Sequence, residues 1–91
     1  ISADEFRQWQ QSGVPFQLID VREPHEYAES NLGGELIPLG ALADAAERIS
    51  TSGKVVIHCH SGARSAQAIQ MLEEKFGWEH LYNLKGGMLG V

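Results

Sequence analysis

A single cysteine, Cys59, stands in the run His58-Cys59-His60-Ser61-Gly62-Ala63-Arg64-Ser65, with four residues between it and Arg64. A thiol attacks as its thiolate, and at an ordinary pKa of about 8.5 only roughly 3% is ionised at pH 7. Partial positive charge at a helix N-terminus, together with a nearby arginine, lowers that pKa to about 7 or below, a shift of roughly 2 kcal/mol. A loop of small residues wrapped around a helix start leaves amides without partners and forms a bowl that accepts an anion. Arg64 is close enough in sequence to guard its rim. The thiol alone leaves two readings open, a nucleophile or a buried small hydrophobe. The loop, with small residues, two potential cations and no bulky apolar side chain, favours the nucleophile. A zinc site does not fit, because His58, Cys59 and His60 are sequential and their side chains diverge.

The elements that must position this loop can be read on either side of it. Val55-Val56-Ile57 is a β-branched run, as in a strand buried on both faces. Ala66, Ala68, Ile69 and Leu72 belong to a helix that runs to Phe76 and stops at Gly77, with Ser65 or a neighbour as its cap. Cys59 therefore falls where a strand ends and a helix begins.

The remainder of the chain alternates in the same way. Ser2 and Glu5 form a capping box for a first helix that carries Phe6 and Trp9 inward and ends near Gly13. Phe16–Val21 is a strand closed by Asp20 and Arg22, read as a structural ion pair at the carboxyl edge of a sheet. Pro24 opens a short helix in which Glu23, Glu26 and Glu29 look like a solvated face and His25 has no special role. Asn31–Gly34 is a turn, and Glu35–Leu39 a short strand limited by Pro38. Residues 41–49 are expected to be a helix with Leu42, Ala45 and Ile49 inward. Met71 and Trp78 read as packing residues. Leu81–Leu84 is the last strand, and Gly86-Gly87 lets backbone pass close to the loop or its ligand. This pattern implies an α/β fold, a parallel β-sheet of four to five strands with helices on both faces.

Ninety-one residues are expected to make one domain. A start at Ile1 is expected of a piece of a longer polypeptide. One cysteine excludes an internal disulfide framework and suits a reducing, cytoplasmic setting. The formal charge of −5 argues against nucleic acid, and no apolar run approaches a membrane span.

The chain resembles a single rhodanese domain, the sulfurtransferase module. The resemblance rests on Leu18–Pro24 with Glu26-Tyr27, on Ile37-Pro38-Leu39, on His58–Ser65 and on Asn83–Gly87, in the family's order. Residues 31–39 look more particularly like rhodanese domains fused to adenylating enzymes of molybdopterin and thiamine biosynthesis. The resemblance implies that Cys59 takes a sulfane sulfur from thiosulfate or a persulfide donor and passes it to a nucleophile, with no cofactor. Backbone amides of His60, Ser61, Gly62, Ala63, Arg64 and Ser65 would cradle the sulfur, Arg64 would attract the donor, and Asp20 and Arg22 would support the loop. His60 could assist when protonated or be a solvated loop histidine. The implied partners are a ubiquitin-like sulfur-carrier protein or an adenylating domain.

Two alternatives belong to other classes. One is a rhodanese-like binding module with little turnover. The other is a phosphatase or arsenate reductase, but those relatives use Cys-x5-Arg, and the Cys-x4-Arg spacing here makes a narrower bowl suited to one sulfur atom. After Gly86-Gly87 the family continues with an aromatic residue and a closing helix, so some apolar surface is expected to be uncovered near Val91.

Overall fold

The β-branched centre of the chain is the centre of the molecule. The computed structural model describes residues 1–91, with strands β1 (Phe16–Asp20), β2 (Glu35–Leu36), β3 (Lys54–His58) and β4 (Leu81–Asn83), and helices α1 (Ala3–Ser12), α2 (Pro24–Glu29) and α3 (Ala63–Phe76). All strand pairs are parallel, in the order β2-β1-β3-β4. Val55, Val56 and Ile57 are fully buried, because β3 has a neighbour on each edge and a covered face on each side.

Alternation along the strands separates two cores. Ile19, Val55, Ile57 and Cys59 join Ala68 and Leu72 of α3 on one face, with Ile37, Leu42 and Ile49 completing the cluster. On the opposite face Val56 meets Phe6 of α1 and Leu84, with Trp9, Phe16, Leu18 and Tyr82 around them. The expected two-faced parallel sheet is therefore present, with four strands. Met71 and Trp78 pack against the α3-side core, as expected of packing residues.

Local signals hold at both ends of α1. The Ser2 hydroxyl accepts the Glu5 amide at 3.1 Å while the Ser2 amide donates to the Glu5 carboxylate at 3.2 Å, and Gly13 closes the helix with φ +72°.

Two expectations need correction. Residues 41–49 are not a helix: 3₁₀ turns cover Leu39–Ala41 and Ala46–Arg48, with hydrogen-bonded turn between them. Leu42 and Ile49 are nonetheless buried, so the segment fulfils its packing requirement with two anchors and no continuous helix. The cap of α3 is not Ser65 but Gly62, and Ser65 lies inside the first turn.

Candidate active site

The Cys59 loop lies at the carboxyl edge of the sheet, directly after β3. Gly62 there has φ +106°, a conformation open to glycine and strained for other residues. It turns the chain so that the Gly62 amide donates to Cys59 Sγ at 3.0 Å. Ser65 Oγ lies 3.5 Å from the sulfur, 3.1 Å from the Gly62 carbonyl and 2.6 Å from Asn83 Oδ1. The Asn83 side-chain amide in turn donates to the Gly62 carbonyl at 3.3 Å, tying β4 to the loop.

Cys59 is 1% exposed, and its flank belongs to the apolar core. Burial pushes the thiol up, but the Ser65 hydroxyl and the amides of Ser65, Gly62 and Ser61 outweigh it and leave the pKa below the ordinary value. The Ser65 hydroxyl has one proton for three acceptors. When the sulfur ionises, that proton can turn from Asn83 to the sulfur, so part of the stabilisation is switched on by the charge itself.

The rear of the loop is fixed by the C-terminal turn, Gly87–Gly90. The amides of Met88 and Leu89 donate to the carbonyls of Cys59 and His60 at 3.0 and 3.1 Å. A Cβ at Gly87 would lie 2.2 Å from the Cys59 oxygen, so only glycine admits this approach. The expected close passage of the Gly86-Gly87 backbone is therefore against the cysteine loop.

Asp20 and Arg22 make a buried pair. Arg22 Nη2 is 2.8 Å from Asp20 Oδ2, the Arg22 amide and Nε each donate to Oδ1 at 3.0 Å, and Nη2 also donates to the Ser30 carbonyl at 2.8 Å. The hydrogen bonds it donates to Asp20 hold the guanidinium above its ordinary pKa despite burial. This is the expected structural pair, and its direct hold is on the loop after β1 and the end of α2. His58, aligned with Asp20 across the strands, lies beside it with Nε2 3.7 Å from Oδ2. Neither ring nitrogen has a hydrogen-bond partner, and burial first of all keeps its pKa below the ordinary value.

Arg64 is not the free cation the spacing suggested. Its Nη1 and Nη2 grip Glu26 Oε1 and Oε2 at 2.6 and 2.8 Å. Glu26 is accordingly no member of a solvated face, and the Arg64 hydrogen bonds, joined by the Glu23 amide, hold its pKa at about 2. His60, Ser61 and Ala63 are exposed on the loop. Sequence reasoning missed the roles of Glu26 and Asn83, although both lie in stretches whose family likeness was noted.

The model of the Rhodanese-like domain family matches residues 2–91. This chain belongs to that family. Among curated relatives, the rhodanese-like chain is 44% identical to the uncharacterised protein YqhL of Bacillus subtilis over 72 residues, covering 78% of this chain and 56% of that protein. It is 32% identical to the probable adenylyltransferase/sulfurtransferase MoeZ of Mycobacterium tuberculosis over 92 residues, covering 98% of this chain and 23% of that one. A crystal structure of a rhodanese-like domain protein from Staphylococcus aureus superposes with a TM-score of 0.89 at 30% identity, covering 99% of this chain and 87% of that one. The chain thus spans about half the length of YqhL and a quarter of MoeZ. No helix is long and apolar enough to cross a membrane.

Proposed function

We propose that this rhodanese domain, residues 1–91 folding as one unit, transfers sulfur through a persulfide on Cys59. The observation that carries the reading is the Gly62 amide 3.0 Å from a thiol whose pKa is lowered by the surrounding loop. The Cys59 thiolate attacks the outer sulfur of the donor. A new S–S bond forms as the old one breaks, and sulfite leaves thiosulfate, or a thiolate leaves a persulfide, with the bonding pair. The persulfide's charge rests on the outer sulfur, where the amides of the His60–Ser65 loop, including that of Ala63, offer stabilisation. An acceptor nucleophile then takes that sulfur and Cys59 departs as thiolate, a ping-pong cycle. The likeness to MoeZ, a probable adenylyltransferase/sulfurtransferase, supports an adenylating domain as a partner, with a sulfur-carrier protein as the acceptor.

Intact mass after incubation with thiosulfate or a thiol persulfide tests this. A gain of one sulfur, about 32 Da, that cyanide removes as thiocyanate is expected, and Cys59→Ser should lose it while keeping its fold. No adduct with either donor rejects the proposal. The 1% exposure of Cys59 favours a second reading, a docking module with negligible turnover. Partner binding that survives Cys59→Ala, with no transfer by the wild type, would select it.

A further inference from the structure

Beside the cysteine loop lies a cavity of about 350 Å³, lined by Arg22, Glu26, Glu29, Ser30, His60 and Met88. Met88 and His60 tie it to the loop, since the Met88 amide binds the Cys59 carbonyl and His60 follows Cys59 directly. Its basic lining residues are few. Arg22 is spent on Asp20 and the Ser30 carbonyl, which leaves His60. Arg64, the cation expected to receive an anionic donor, has both its terminal nitrogens on Glu26. Glu26 is held from two directions, because Oε1 also accepts the Glu23 amide at 3.0 Å. The carboxylate of Glu23 is near enough to act on Arg64 as well, and Glu29 adds a further acid to the cavity wall. The surface beside the cysteine loop is thus acidic: Arg22 and Arg64 are both paired, and Arg64 is near enough to Cys59 for their charges to act on each other.

Resting on the sulfur-transfer reading above, we infer that Glu26 sets donor selectivity. By occupying Arg64 it disfavours a small dianion such as thiosulfate and favours a persulfide borne on a neutral or cationic thiol. The bidentate geometry explains why displacement is hard. A dianion must break two charge-assisted hydrogen bonds and then remain beside the carboxylate it displaced. A persulfide whose carrier offers a cation needs no such exchange and finds Glu26 and Glu29 attractive.

The test compares thiosulfate with cysteamine persulfide as donors to the whole chain, with cyanide as acceptor. Glu26→Gln keeps the shape and removes the charge, so the ratio of kcat/KM for thiosulfate to that for cysteamine persulfide should rise about tenfold. The gain should appear in the KM for thiosulfate and not in kcat. Independently of any variant, the wild-type kcat/KM for thiosulfate should increase about two- to threefold between about 20 and about 300 mM KCl, because salt screens repulsion at an acidic mouth. A decrease with salt would mean the mouth attracts anions and would overturn the inference, whether or not Glu26→Gln folds. So would an unchanged or lower donor ratio in a folded variant. Persulfide formed from neither donor would reject sulfur transfer itself, whereas persulfide formed readily from thiosulfate, insensitive to salt and to Glu26→Gln, would reject only the selectivity.

Discussion

Two arginine–carboxylate pairs stand near the same sheet edge and behave oppositely. Asp20–Arg22 joins neighbours in sequence, and its side chains are 0% and 4% exposed. Glu26–Arg64 joins α2 to the start of α3 across the fold, and its side chains are 23% and 35% exposed. The first is held by the Ser30 carbonyl and by the strand, and although Arg22 touches the cavity wall its side chain is almost wholly covered, so water has little access to either charge. The second is far more open, and Glu26 lines the same cavity, so water or a ligand can replace either partner. Similar chemistry therefore gives a permanent brace in one place and a replaceable contact in the other. Burial decides which, not bond length.

The most severe way to break this comparison is Asp20→Asn. It strands the Arg22 charge in the interior and should lower unfolding stability by about 3–5 kcal/mol, read from urea titration. A loss below about 1 kcal/mol would show that Arg22 finds water and that the two pairs are alike. A smaller effect sharpens the environment of the buried pair. His58 is held neutral with a folded pKa below the ordinary one, so the unfolded chain takes up its proton first as pH falls through about 6.5. Stability should decline from that pH downward until the folded pKa is reached. His58→Leu, which removes two unpartnered nitrogens, should stay within about 1 kcal/mol of wild type at pH 7 and flatten that decline.

The smallest stability effect belongs to the exposed pair. Glu26→Gln should cost less than about 1 kcal/mol at pH 7. Because folding depresses the Glu26 pKa from 4.5 to about 2, its contribution is complete above about pH 4.5 and disappears as pH falls through about 2. Wild type and variant should therefore converge in acid, measured by thermal unfolding across that range. Variants that stay equally far apart at pH 2 would assign the difference to packing.

The sequence foretold one of these pairs and not the other, for a physical reason. Asp20 and Arg22 lie two apart at a strand end, and local geometry alone brings them together. Glu26 meets Arg64 across 38 positions, and its local partner, the Glu23 amide at the start of its own helix, says nothing of a distant arginine. The same boundary runs through the rest of the molecule. β3, the Ser2–Glu5 box and the Gly13 and Gly77 stops are short-range signals and appear where expected. Residues 41–49 carried an alanine-rich helical pattern, yet Leu42 and Ile49 are satisfied by two 3₁₀ turns, because tertiary anchoring outweighs propensity over so short a stretch. At the cysteine, composition pointed to a bowl of amides. That Asn83 and Ser65 share its wiring depends on β4 lying next to β3, a strand order that no local signal encodes.

The close seat of Gly87 against the Cys59 and His60 carbonyls has a consequence for the newly made protein. On the ribosome, residue 59 emerges well before residues 87–90, so its peptide groups are free to rotate until that later turn arrives. During that interval the Cys59 and His60 carbonyls lack the two amides that later fix them. The loop around the sulfur thus takes its final shape only when residues 87–90 dock against it.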